Sequence, residues 1–286
     1  MTRRFLTVLL LALAVSAEAP APRKMRLRLK TGDRLSVTIV VSSEITMTTR
    51  QGDRTSSTLE SVQRTERFVD LLQHAGDGTG LRIARTYLKL FTKVKGVEDE
   101  RPTIVQSPLT GRTVEISEEQ RRRKVVAESG VPFDEFLART AGLEIDWRDI
   151  FPEGAIAPGD RWTADATALA RRVDAYFGSG TNSRMRVRYE RDVEYQGFRC
   201  AKLYVDWDLE GMRDRSLSTK MILAGDVYFD LDHERFVEID LAGTQVIRGA
   251  ILAPAPPRIL KGEGPVSLRI SVRPASVDAA VPAEKE

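Results

Sequence analysis

RMRVRYERDVEYQGFRCAKLYVDWDL, residues 184–209, decides the architecture of this chain. Met185, Val187, Tyr189 and Val193 fall on one side, and Arg184, Arg186, Arg188 and Glu190 fall on the other. Successive side chains of a strand point to opposite faces, so this is extended chain with one apolar and one charged face. Gln196-Gly197 supplies a tight turn. Ala201, Leu203, Val205, Trp207 and Leu209 then resume at period two. The stretch is an antiparallel hairpin whose apolar face needs a core to cover it.

The same pattern spreads outward. Leu35, Val37, Ile39 and Val41 alternate with Ser36, Thr38 and Ser42. Residues 81–91 predict a further strand and 113–116 a short one. Downstream, 216–223 runs towards Gly225, and Val227, Phe229 and Leu231 alternate with Asp230 and Asp232. A turn at Asp232-His233-Glu234 leads back through Val237, Ile239 and Leu241, and 266–272 is the last strand. Helices are fewer. Ser117 is positioned to cap a helix through Glu118, Glu119 and Gln120 into 121–127. Pro132 opens a second, with Phe133, Phe136 and Leu137 on one face. Residues 165–176 read as a third, with a strand as the competing assignment. The expected fold class is mainly β: a large curved antiparallel sheet or an incomplete barrel with two or three short helices.

The chain begins with Arg3 and Arg4, an apolar run from Phe5 to Val15, and an A-x-A site ending at Ala19. That is the pattern of a secretory signal peptide over 1–19. The rest divides into an N-terminal β-rich half (20–130), a proline-containing helical crossover (131–158), a C-terminal β-rich half (159–273) and a polar tail (274–286). One continuous sheet is preferred over two domains, because no long linker separates the halves. Lys30-Thr31-Gly32-Asp33-Arg34-Leu35 echoes Ala157-Pro158-Gly159-Asp160-Arg161-Trp162. Duplication of a β-unit and recurrence of a common turn both account for the echo.

Composition excludes several functions. There are 44 basic and 41 acidic residues, too even a balance for nucleic acid as the main partner. Cys200 is the single cysteine, so no intrachain disulfide forms and no lipidated cysteine follows the leader. A released protein of a bacterial periplasm or exterior is expected. No later apolar run approaches the ~20 residues of a membrane span, so no transmembrane anchor is expected after signal removal.

No catalytic, cofactor or metal residue is assigned. His74 and His233 sit at turn signals, far apart in sequence, and Cys200 has no nearby histidine. There is no G-x-S-x-G elbow, Walker loop or dinucleotide fingerprint. Asp226, Asp230 and Asp232 alternate as a strand does and lack calcium-loop spacing. The basic run 121–124 follows Glu118 and Glu119 and reads as a self-compensated surface. Trp147, Trp162 and Tyr176 are either interaction anchors or core plugs. Two groups remain as ligand candidates. The comb Arg184, Arg186 and Arg188 grips an acidic head group if it lines a concave face. Phe133, Phe136 and Leu137 form part of a lid if they pack under the sheet.

Several motifs follow one another along the chain: K-x-G-D-R at 30–34, P-E-G-x-I-x-P-G-D-x-W at 152–162, Y-x-G-F-R-C-A-K-L at 195–203, G-D-V-Y-F-D at 225–230 and R-F-V-E-I-D at 235–240. In these the chain resembles the uncharacterised exported proteins of myxobacteria, planctomycetes and related bacteria, a family without assigned activity. More loosely, it is similar to the periplasmic lipoprotein carriers. That resemblance implies an incomplete barrel with helices over an apolar cavity. The expected function is a non-enzymatic exported envelope protein with a structural or protein-interaction role. The alternative is a periplasmic carrier or binder of a lipid, lipoprotein or other apolar ligand. A third reading, a hydrolase with paired carboxylates, lacks any fixed pair in the sequence. The partners implied are an envelope protein or an apolar ligand, and no cofactor.

Overall fold

The computed structural model describes residues 21–75, 81–96, 99–119, 122–127, 145–170, 179–212, 216–251 and 258–275. The strands are β1 (Arg34–Gln51), β2 (Arg54–Ala75), β3 (Leu81–Gly96), β4 (Thr103–Gln106), β5 (Thr113–Glu119) and β6 (Arg122–Ala127). They continue as β7 (Arg161–Ala164), β8 (Ser179–Tyr195), β9 (Phe198–Met212), β10 (Leu217–Asp230), β11 (Arg235–Ile251) and β12 (Arg258–Pro274). All belong to one antiparallel 12-stranded sheet, in the order β6-β5-β3-β2-β1-β12-β11-β10-β9-β8-β7, with β4 beside β3. The sheet is not closed. β1 pairs with both β2 and β12, so strands from both ends of the chain meet at its centre.

Helix is scarcer than expected. Among the described residues there is one helical stretch, 166–170, and one 3₁₀ turn, Arg148–Ile150. Asp165 caps the first, accepting from the Ala168 N–H at 3.1 Å through Oδ1. The helix expected over 121–127 is a correction: Thr113–Glu119 and Arg122–Ala127 form a β-hairpin instead. Its register sets Ser117 opposite Lys124 and Glu118 opposite Arg123. The acid-then-base order that suits a helix dipole equally suits facing strands, and Val125 and Val126 favour extended chain. Phe133, Phe136 and Leu137 lie outside the described residues, as do the signal segment and the tail beyond 275.

The quoted hairpin forms as read. Gln196 and Gly197 both have positive φ, 51° and 81°, the conformation that matches strand twist in a two-residue turn. The two Gly-Asp sequences build the same turn. Gly32 and Gly159 adopt φ of 92° and 97°. Asp33 accepts from the Lys30 N–H at 2.9 Å, and Asp160 accepts from the Ala157 N–H at 2.8 Å. Each glycine N–H then bonds a neighbouring strand, at Leu72 O (2.8 Å) and Tyr189 O (2.7 Å).

One face of the sheet is buried. Leu35, Val37 and Ile39, Leu203, Val205 and Trp207, and Leu268 and Ile270 share a single apolar cluster with residues from both ends of the sheet. A flat sheet does not bring its own inner face together, and glycines show where it bends. A Cβ on Gly225, Gly243 or Gly264 would sit 2.0, 1.8 and 1.8 Å from the carbonyl oxygen of Asp240, Ile222 and Glu44 respectively. The three lie on β10, β11 and β12, each displaced by one inward position from the last. This diagonal is a crease that only glycine permits, and the sheet curls inward along it.

The segment 145–157 braces the curl. Trp147 packs edge-on to Trp207 with centroids 5.9 Å apart. Phe151 meets Phe229 at 4.7 Å and stacks on Phe236 at 5.7 Å. Trp162 Nε1 donates to Ile150 O at 2.7 Å, and Ile156 bridges to Arg23. The P-E-G-x-I-x-P-G-D-x-W motif is thus a structural strap.

Candidate functional site

The arginine comb lies on the face opposite the core. Met185 and Val187 are buried, while Arg184 and Arg186, which alternate with them, are exposed. Facing strands answer the charges. Arg186 Nη2 donates to Asp206 Oδ2 at 2.6 Å, and Arg184 sits opposite Asp208. Arg188 donates to Glu190 Oε1 at 2.5 Å, and Lys202 joins Glu190 (3.1 Å) to Asp226 (3.0 Å). The hydrogen bond from Arg188 holds the Glu190 carboxyl below its ordinary range, and the hydrogen bond to Asp226 raises Lys202. Further along, Tyr195 and Tyr228 stack at 3.7 Å, and Tyr195 donates to Glu238 Oε1 at 2.9 Å. This outer face is a charge-compensated lattice exposed to water.

The residues weighed as reactive groups have plain structural settings. Burial pushes the Cys200 thiol up to about 12, which keeps it protonated and inert. Asp230 accepts from the N–H groups of Asp232 (3.0 Å) and His233 (3.1 Å), closing the β10–β11 turn. His233 is 60 % exposed, with Nδ1 2.8 Å from Asp230 Oδ2. Asp226 is engaged by Lys202. Trp147 is a core plug and Trp162 is half-buried.

The inner face carries the features that are chemically unusual. On β2 and β3 it holds ions. Arg85 and Asp70, both fully buried, form a bidentate pair: Nε to Oδ1 at 2.8 Å and Nη2 to Oδ2 at 2.9 Å. The guanidinium lies 3.6 Å over the Phe68 ring. One step outward, buried Glu66 meets Arg64 Nε at 2.7 Å. Beyond Arg64 the inner face loses its cover and becomes mixed, with Ser43, Thr58, Glu60 and Thr92 at the same parity as a set of apolar residues. Val62 lies opposite Val94, and both are half-buried, as are Met47 and Leu260. Val105 on β4 is 57 % exposed. These residues are the apolar positions of an open ledge that extends the same face of the sheet beyond the core.

Where the ledge meets the C-terminal half, two buried polar side chains point inward. Gln245 on β11 and Thr219 on β10 are 6 % and 5 % exposed. Gln245 lies opposite Met221 and Thr219 opposite Ile247, so the two are diagonal neighbours on one face. Gln245 Nε2 and Thr219 Oγ1 have no hydrogen-bond partner, and neither has Trp147 Nε1. Ile45 and Met47 lean over Gly262 beside them, where a Cβ would meet Met47 Sδ at 2.3 Å. The sequence reading passed over these positions. The available signal was polarity at inward parity: Gln245 in the series Leu241, Gly243, Gln245, Ile247, and Thr219 in Leu217, Thr219, Met221.

No family model matches the chain, and no curated protein matches it. Three solved structures match at low identity. A lipovitellin structure, described for its lipid–protein interactions, matches at 8 % identity and a TM-score of 0.43, covering 89 % of this chain and 27 % of that one. The chain therefore spans about a quarter of that protein's length. DynF from the dynemicin biosynthesis pathway of Micromonospora chersina matches at 11 % identity and a TM-score of 0.20, over 92 % and 90 % of the two chains. A DUF1329 family protein from Desulfovibrio piger matches at 9 % identity and 0.12, over 84 % and 87 %. At these scores none of the three carries an argument about ligand or activity. Among the described residues, no helix is long and apolar enough to cross a membrane, which says nothing of spanning by strands.

Proposed function

We propose that this chain is a non-enzymatic, exported binder of an apolar ligand, which it holds on the inner face of its curled sheet. One observation supports the reading above others. Apolar side chains on the inner face do not end where the sealed core ends: Met47, Val62, Val94, Val105 and Leu260 continue them onto an open ledge, among Ser43, Thr58, Glu60 and Thr92. An apolar surface left open beside a core is what a ligand of the same character covers. The outer face carries paired charges, with exposed apolar residues such as Leu59, Ile222 and Ile259 standing singly among polar and charged neighbours.

Titration with N-phenyl-1-naphthylamine, an uncharged apolar fluorophore, tests this. Saturable one-to-one binding is expected, weakened at least tenfold by Val62→Asp or Val94→Asp and unchanged by Val246→Asp on the outer face. Equal binding by all four proteins, or none by the unmodified one, overturns the reading.

A structural or protein-interaction role has its own specific support. All four residues of β4 are exposed, including Ile104 at its outer edge, and an uncovered edge strand pairs with other chains. If that role holds, Ile104→Lys abolishes a cross-link to an envelope protein that the unmodified chain forms.

A further inference from the structure

The ligand's polar group is identified by what waits for it. Gln245 Nε2 and Thr219 Oγ1 are buried donors without partners, side by side at the inner end of the ledge. Native proteins rarely leave such groups unmade, because each loses its water without recovering a hydrogen bond. Trp147 Nε1, a donor and nothing else, is in the same condition in the strap that covers that face. The three share one need: an acceptor that arrives with apolar surface around it.

Charge narrows the class. The inward residues around the pair are Leu209, Met221, Ile247, Gly262, Gly264, Ile45 and Met47. None is a cation. The buried ions of the inner face stand on β2 and β3 and are already matched, Asp70 by Arg85 and Glu66 by Arg64, while Glu60 and Arg258 stand exposed at the outer end of the ledge. A carboxylate or phosphate delivered to Gln245 and Thr219 would be desolvated with no countercharge, which is costly. A neutral carbonyl has no such penalty and accepts two hydrogen bonds.

We infer that Gln245 and Thr219 bind the uncharged carbonyl of an acyl chain, an ester or amide, whose hydrocarbon lies along Met47, Val62, Val94 and Leu260. The site has a deep end and an open end. Burial falls from Thr219, Met221 and Gln245 to half-exposed Met47 and Leu260, so the chain enters from the ledge with its carbonyl leading. The crease serves the same end. Gly264, directly opposite Gln245, places no side chain there, whereas Ile45 and Met47 lie over Gly262, so unbranched, flexible Met47 is the wall that must move.

This inference rests on the apolar-ligand reading, and its test separates the two. Methyl oleate and 1-octadecene, which share a long alkenyl chain but differ in the ester, are competed against bound N-phenyl-1-naphthylamine. The unmodified protein is expected to prefer the ester by about tenfold, the worth of one to two net hydrogen bonds. The double variant Gln245→Leu/Thr219→Val is expected to lose that preference while still binding 1-octadecene. Its ligand-free Tm is expected to rise, because two unsatisfied buried groups are gone; that readout also shows that the variant folds. Equal affinity of the unmodified protein for ester and alkene overturns the carbonyl site and leaves the apolar-ligand reading standing. Failure of both to compete overturns both. A fall in ligand-free Tm in the double variant also overturns the site, because it means the two groups were satisfied by the protein itself.

Discussion

Asp70 and Arg85 occupy inward positions where β-strands of this kind carry valine or leucine, and they are held there by two parallel hydrogen bonds and the Phe68 ring. Removing one partner strands the other in the core, which costs about 3–5 kcal/mol. Arg85→Met is therefore expected to lower the urea-unfolding free energy by that amount. Arg85→Lys restores little, because an ammonium cannot make the fork. A loss below about 1 kcal/mol for Arg85→Met would show that the pair is not desolvated as described. The same residues explain why β2 escaped the sequence reading altogether. Its inward series is Glu66, Phe68, Asp70 and Leu72, and two acids in four positions erase the alternation that marked β8 and β9. Gln245 and Thr219 were hidden by the same logic: each is one polar residue in an otherwise apolar series. It is the exceptions to the pattern that carry the proposed chemistry.

At the scale of elements, hairpins were legible and their extent was not. The turn at Gln196-Gly197, the strands around it and the Gly-Asp openings of β1 and β7 all follow from local residues. Strand length does not. β1, β2, β3 and β12 run well past the core, where no burial enforces a hydrophobic pattern and threonine and serine alternate with charges. The 113–116 strand is legible, but β6 reads as helix in sequence because its extended form comes from pairing with β5, itself held against β3, and tertiary pairing outranks local preference. The glycine crease is the element on which the curl depends, and it makes a sharp contrast. Gly264→Ala places a methyl 1.8 Å from the Glu44 carbonyl oxygen, so a loss of about 3 kcal/mol or more is expected in chemical denaturation. Gly154→Ala, with no atom within 4 Å, is expected to change stability by less than about 1 kcal/mol. Equal effects at the two sites would mean that the sheet does not bend at Gly264.

For the whole molecule, one long sheet must cover one apolar face without a second sheet to help it. Curling along the crease brings most of that face together, and the 145–157 strap plugs it with Trp147 and Phe151. The remainder is the ledge, and its inner end holds donors without partners. A continuous sheet was expected from the absence of a linker, and β1 joins β12 at its centre. What covers the ledge was not legible, because an apolar residue reads alike in sequence whether it meets the core or a ligand. Native mass spectrometry of the protein purified from the organism that makes it, followed by organic extraction, addresses this most directly. The account predicts a stoichiometric added mass that extraction removes, with an acyl ester or amide in the extract. A clean unliganded mass, with no lipid above that recovered from a control protein, contradicts it.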